Sequence, residues 1–323
     1  MQKGYIGTYN TEHSRGVYSF SFDEQTGRLH DARALCSADD AKCVDIGGGY
    51  LFAGLSRDGK GGMALLNCDT GRILSSYLAE HKPPCFIKYE NGCIYTANYH
   101  DGTVMVYRLR DSDIELVKRI DIMPKAGCHQ VVVHGRYIIV PCLLLDELRI
   151  FDSENDFSFV KAISFDKGTG PRHGIFNAAH SRFYLVSEYS NELFTFEVND
   201  LSFDLVNRIN LLSAEQKQGS SSAALHLSPD GQYLYISTRG ADLLTVLSLQ
   251  AENVPRIIQQ IQCGGSHPRD FMLAGGGKYL LCVNRDSDDL ISFSVDSLSG
   301  RIGRIIDKLP VPHGVGICLK ERV

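Results

Sequence analysis

Ser221-Ser222-Ala223-Ala224-Leu225-His226-Leu227-Ser228-Pro229-Asp230-Gly231-Gln232-Tyr233-Leu234-Tyr235-Ile236-Ser237-Thr238-Arg239-Gly240-Ala241-Asp242-Leu243-Leu244-Thr245-Val246-Leu247-Ser248-Leu249 decides the fold. It reads as a short apolar strand, a Pro-Asp-Gly turn, a Tyr/Leu/Ile strand, a polar turn and an alternating strand. Residues 267–295 repeat the scheme, from His267-Pro268-Arg269-Asp270-Phe271 to Leu290-Ile291-Ser292-Phe293-Ser294-Val295, with Gly275-Gly276-Gly277 as the turn. A fixed period made of strands without helices predicts a β-propeller.

The polar residue closing the second strand of each copy falls at Asn98, Cys142, Ser187, Thr238 and Asn284, in steps of 44, 45, 51 and 46 residues. A four-stranded blade needs roughly 40–50 residues, so the chain has room for about seven. A weaker copy covers 41–78, with a central strand Tyr50–Leu55 and an outer turn Asp69–Arg72. The last copy is split. Val311–Cys318 resembles a first strand, and the chain then stops. Its partners are expected at Gly4–Thr8, Gly16–Phe22 and from Leu29 onward. A C-terminal strand joining N-terminal ones in a single blade removes two open sheet edges. The expectation is therefore an all-β, seven-bladed propeller forming one domain over 1–323. Six blades would require one copy to be an insertion.

Composition narrows the function classes. Hydrophobic residues make up 43% and charged residues 22%, as in an ordinary globular protein. The net charge of −5 and the scatter of basic residues argue against nucleic acid as a partner. No apolar signal core opens the chain and no run of 18 apolar residues occurs, so neither export nor a membrane span is expected. The ten cysteines include no Cys-x-x-Cys pair and mostly sit in apolar strands, which reads as reduced thiols in a cytoplasmic protein. Trp is absent, and with it the Trp-Asp signature of scaffold propellers.

In a blade the first strand runs one way and the second returns, so residues before the first and after the second share a rim. Before first strands lie His129, Arg172 with His173, His267 with Arg269, and His313. After second strands lie Tyr9 and Asn10, Asn98 and Tyr99, Glu188 and Tyr189, Arg239, and Asn284 with Arg285. One such residue alone is ordinarily a solvated or turn-capping group. Cations gathered around one carboxylate in an acidic protein instead point to an anionic small-molecule ligand. Asp286, Asp288 and Asp289, like Asp39 and Asp40, read as solvated turns rather than metal ligands. Gly47-Gly48-Gly49 and Gly275-Gly276-Gly277 read as tight turns, since no helix follows to bind phosphate.

The set Gly7-Thr8-Tyr9, Gly127-Cys128-His129, Gly170-Pro171-Arg172-His173, Ser187-Glu188, Ser228-Pro229-Asp230-Gly231 with Arg239, and His267-Pro268-Arg269-Asp270-Phe271 resembles the seven-bladed propeller lactonases over the whole chain. That family includes bacterial cycloisomerase-type 6-phosphogluconolactonases and fungal carboxy-muconate cyclases. The resemblance implies an active site of His129, Arg172, Glu188 and Arg239. Many members carry Asp-Leu-Gly after the second strand of the His129 blade. Here Leu143 stands at the acidic position, and Leu143, Leu144 and Tyr189 become expected pocket walls.

For lactone hydrolysis Glu188 or His129 would act as general base toward water, while Arg172 and Arg239 stabilise the oxyanion or clamp a phosphate or carboxylate. His173, Tyr189 and Asn284 are expected to bind substrate, with His267, Arg269 and Arg285 serving its anionic tail. No cofactor or metal is implied, and Gly-x-Ser-x-Gly is absent. The resemblance points to 6-phospho-D-glucono-1,5-lactone and the oxidative pentose phosphate pathway. A cycloisomerase, a lactonase for another carboxylated lactone, and a non-catalytic interaction scaffold are the alternatives. Removing Glu188 or Arg172 is expected to cost activity and hardly any stability.

Overall fold

The computed structural model describes residues 1–14, 16–250 and 254–320. Its strands form seven four-stranded antiparallel sheets, the seven-bladed β-propeller read from the repeat. The first blade is the split one. Gly314–Leu319 pairs with Gln2–Thr8, followed by Val17–Phe22 and Leu29–Cys36. Tyr5 stands opposite Cys318 and Ile6 opposite Ile317. The next three blades span 44–80, 86–121 and 132–164, and the last three span 171–210, 221–262 and 268–310.

Packing divides the chain into two compact units. One comprises Met1–Phe22, His30–Ser164 and Val311–Val323; the other comprises Asp23–Leu29 and Phe165–Pro310. The first unit holds blades one to four, with core clusters around Tyr5 and Leu51, Phe52 and Tyr107, and Val104 and Ile138. The second holds blades five to seven. Its core joins Tyr235, Phe271, Cys282 and Phe293 in one cluster and Val186, Leu225 and Ile236 in another.

Position within the blade sets the sequence pattern. Second strands are covered on both faces, so Tyr233–Arg239 and all but the first residue of Arg182–Ser187 are buried, and both read as apolar runs. Fourth strands are half-exposed; Ser202–Asn210 alternates between exposed and half-buried residues. First strands lie close against their neighbours. A Cβ added to Gly174 would come 2.1 Å from the Phe183 ring, so the strand carrying Arg172 needs glycine there.

The long 51-residue step has a physical cause. After Ser202–Asn210 the chain makes a short helix, Ala214–Lys217, before entering blade six at Ser221. Ser213 and Gln216 close a capping box on it. Two expectations need correction. Asp289 is not a solvated turn residue: it starts a third strand, is 1% exposed, and pairs with Lys308 at 2.8 Å. Leu143 is buried in a short 3-10 turn, so it is no pocket wall; Leu144 and Tyr189 are the exposed residues of that trio.

Candidate active site

In the unit of blades five to seven, Arg172, Glu188 and Arg239 meet. Arg172 is the second residue of the strand Pro171–Phe176, Glu188 follows the end of Arg182–Ser187, and Arg239 ends Tyr233–Arg239. Arg172 Nε donates to Glu188 Oε2 at 2.7 Å, and Arg239 Nη2 lies 3.1 Å from the same oxygen. Both ion pairs use Oε2. Among the described residues Oε1 has no hydrogen-bond partner.

Backbone bonds fix the carboxylate from two sides. The Glu188 amide donates to Gly170 O at 2.7 Å, and its carbonyl accepts from the Ser222 amide at 3.3 Å. The arginines are braced in turn. Arg172 Nη1 donates to Ala223 O at 2.6 Å, while Arg239 Nε and Nη2 donate to Ser221 O and Ser222 O at 3.2 and 3.3 Å. Both guanidiniums are nearly enclosed, and Glu188 keeps a sliver of exposure.

Electrostatics follow from that enclosure. Burial pushes the Arg172 guanidinium down to about 9; Arg269 pushes the same way, Glu188 opposes, and Arg239 adds to the fall. Burial alone would raise the Glu188 carboxyl. Arg172, Arg239 and Arg269 outweigh it and hold the carboxyl below its ordinary value, so it is ionised at neutral pH. His173, whose Nε2 lies 3.3 Å from Arg172 Nη1, is kept neutral by burial first and by Arg172, His226, Arg269 and Arg239 next.

A family description, lactonase with a seven-bladed β-propeller, matches residues 3–320. The chain belongs to the seven-bladed β-propeller lactonase family. It is thus a hydrolase acting on lactone esters. A relative, the 6-phosphogluconolactonase of Bacillus subtilis, is 25% identical over 341 residues, covering 98% of this chain and 97% of the relative. Among solved structures, a protein from Lactobacillus plantarum superposes with a TM-score of 0.92 at 24% identity, covering 99% of both chains. The periplasmic gluconolactonase of Pseudomonas aeruginosa has a TM-score of 0.84 at 23% identity, covering 98% of both.

His267 and Arg285 form a cluster with Asp286. Arg285 Nε donates to Asp286 Oδ1 at 2.6 Å, and His267 Nδ1 lies 3.3 Å from Asp286 Oδ2 and from Arg285 Nη2. His267 adopts a left-handed φ of 63°, and its backbone amide donates a hydrogen bond to Asp242 Oδ1 at 2.8 Å. Burial, then Arg285, lowers this imidazole to about 4, with Asp286 opposing. Arg269 lies half-buried on the strand Pro268–Ala274. Asn284 is a brace rather than a presented group: it is fully buried, with its amide on Asp289 Oδ1 at 2.8 Å and Cys263 O at 3.4 Å.

His129 belongs to the other unit. It is 4% exposed, its amide donates to Pro141 O at 3.0 Å, and its ring meets Tyr99 edge-on at 6.2 Å. Tyr189, beside Glu188, is exposed. Sequence reasoning missed His226 and Asp270, an imidazole and a carboxylate 3.8 Å apart on the first strands of blades six and seven. Both residues stood in the two clearest repeat copies, with nothing in their spacing to single them out.

Proposed function

We propose that this lactonase hydrolyses a sugar δ-lactone bearing an anionic group, with 6-phospho-D-glucono-1,5-lactone as substrate in the oxidative pentose phosphate pathway of the cytoplasm. One observation carries the site assignment: Glu188 is gripped through Oε2 by two arginines, with Oε1 left open. A carboxylate so held cannot swing, and its open oxygen can orient a water.

The chemistry is brief. Water adds to the lactone carbonyl carbon as Glu188 Oε1 takes its proton, and the carbonyl oxygen becomes an oxyanion beside the guanidiniums of Arg172 and Arg239. Collapse breaks the bond between that carbon and the ring oxygen, and the proton passes to the departing alkoxide. The product is a ring-opened hydroxy acid, which ionises at neutral pH. A carboxyl held below its ordinary value is a weak base, but sugar δ-lactones open in water unaided, so little basicity is demanded.

The Bacillus subtilis relative supports the phosphorylated substrate, and ten cysteines without a disulfide support a reducing compartment. The test is the rate at which purified protein opens 6-phosphogluconolactone relative to the spontaneous rate. Excess hydrolysis supports the assignment, and a rate equal to background removes this substrate.

A further inference from the structure

The three first strands of the Arg172 unit each carry one extra residue at the same point of their register. In blade five Pro171 faces Ser187 and His173 faces Val186, so Arg172 is the surplus residue. In blade six Ser222 faces Thr238 and Leu225 faces Ile236, leaving Ala223 and Ala224 against one residue. In blade seven Pro268 faces Asn284 and Asp270 faces Val283, so Arg269 is surplus. A β-bulge re-aims the side chain it carries. By repeat equivalence, Arg269 holds in blade seven the post that Arg172 holds in blade five.

Their commitments differ. Arg172 is bound to Glu188 and Ala223 O, and Arg239 to Glu188 and two carbonyls. Arg285 is neutralised by Asp286. Arg269 is only half-buried and, among the described residues, has neither a hydrogen bond nor an ion pair. It nevertheless lies near enough to Glu188, Arg172 and His267 to influence the ionisation of each.

We propose that Arg269 is the specificity-determining residue that binds the phosphate monoester of the substrate, an inference that rests on the lactonase reading above. Its planar fork suits bidentate phosphate binding. Three arginines face the single charge of Glu188, and a phosphate monoester near −2 at neutral pH supplies the missing countercharge, which an uncharged sugar lactone does not.

The test compares phosphorylated and unphosphorylated glucono-δ-lactone with wild type, Arg269→Met and Arg269→Lys. The ratio of kcat/KM for the two lactones is expected to fall on the order of 10²-fold in Arg269→Met, carried by KM more than by kcat. Arg269→Lys, which keeps stem and charge, should retain part of the preference and guards against a folding defect. An unchanged ratio in Arg269→Met overturns the proposal, as does an equal loss on both lactones. Should wild type open neither lactone, the functional reading falls. Calorimetry with inorganic phosphate and 6-phosphogluconate then decides the role of Arg269. Binding to wild type that is lost in Arg269→Met supports it; no binding to wild type, or equal binding to both, overturns it.

Discussion

Arg172 donates from Nε to Glu188 and from Nη1 to the carbonyl of Ala223, so one guanidinium joins a carboxylate of blade five to the backbone of blade six. Arg172 and the Ala223 carbonyl are shielded from water, while Glu188 keeps a sliver of exposure.

That burial changes one expectation from sequence, under which Arg172 could be removed with little loss of stability. Arg172→Ala leaves Glu188 under-compensated and Ala223 O without its donor. Breaking a buried pair from one side costs about 3–5 kcal/mol. Urea unfolding of the variant at neutral pH should show a loss of that size. A loss below about 1 kcal/mol would mean that water or Arg239 compensates fully.

A second carboxyl predicts the opposite sign of effect. Glu80 is 4% exposed, accepts from Thr103 Oγ1, and its Oε2 is buried with no hydrogen-bond partner among the described residues. Burial raises it to about 7, against the Thr103 bond and with Asp101 adding. The folded state thus holds a proton that the unfolded state releases near its ordinary pKa of about 4.3, and stability is lost as pH rises from there to about 7. Glu80→Gln should therefore be more stable than wild type by about 1–3 kcal/mol at pH 8, with the gap closing below about pH 4. Equal pH–stability curves would show that Glu80 ionises freely.

His267 works in the reverse direction. Its folded value of about 4 lies below the unfolded value of about 6.5, so the unfolded state binds the extra proton between them and acid weakens the fold across that window. Replacing it in His267→Asn should flatten the melting-temperature profile between about pH 6.5 and pH 4, by on the order of 1 kcal/mol. Unaltered acid sensitivity in this variant would locate the titration elsewhere.

The fold was legible because its signals are local. Turn residues recur at a fixed period, and second strands buried on both faces announce themselves as apolar runs. The split blade followed from the likeness of Val311–Cys318 to a first strand, and the Tyr5–Cys318 register agrees. The capping box of Ser213 and Gln216 closes a single turn of helix, which a period built of strands does not reveal. Asp289 misled for a related reason. The run Asp286-Ser287-Asp288-Asp289 has turn composition throughout, but its last residue pairs with Asn284 in the sheet and is carried inside.

At the site, the meeting of Glu188 with Arg172 and Arg239 could be expected from register alone. Bulges could not. A two-against-one pairing leaves no mark in composition, so register alone does not separate Arg172 from His173 as the residue facing Glu188; the family resemblance does. Nor was Arg269 distinguishable from Arg285, although Arg269 sits in a bulge and Arg285 pairs with Asp286. The buried amide of Asn284 has the same cause: a polar strand end reads alike whether it faces a ligand or braces a turn.

The central claim is that the carboxylate of Glu188, fixed by Arg172 and Arg239, performs the hydrolysis. Its most direct test is the rate of 6-phosphogluconolactone opening by Glu188→Gln against wild type, each corrected for the spontaneous reaction. A fall on the order of 10²-fold, with the variant still folded, is the predicted result. A Glu188→Gln enzyme as fast as wild type would contradict the account.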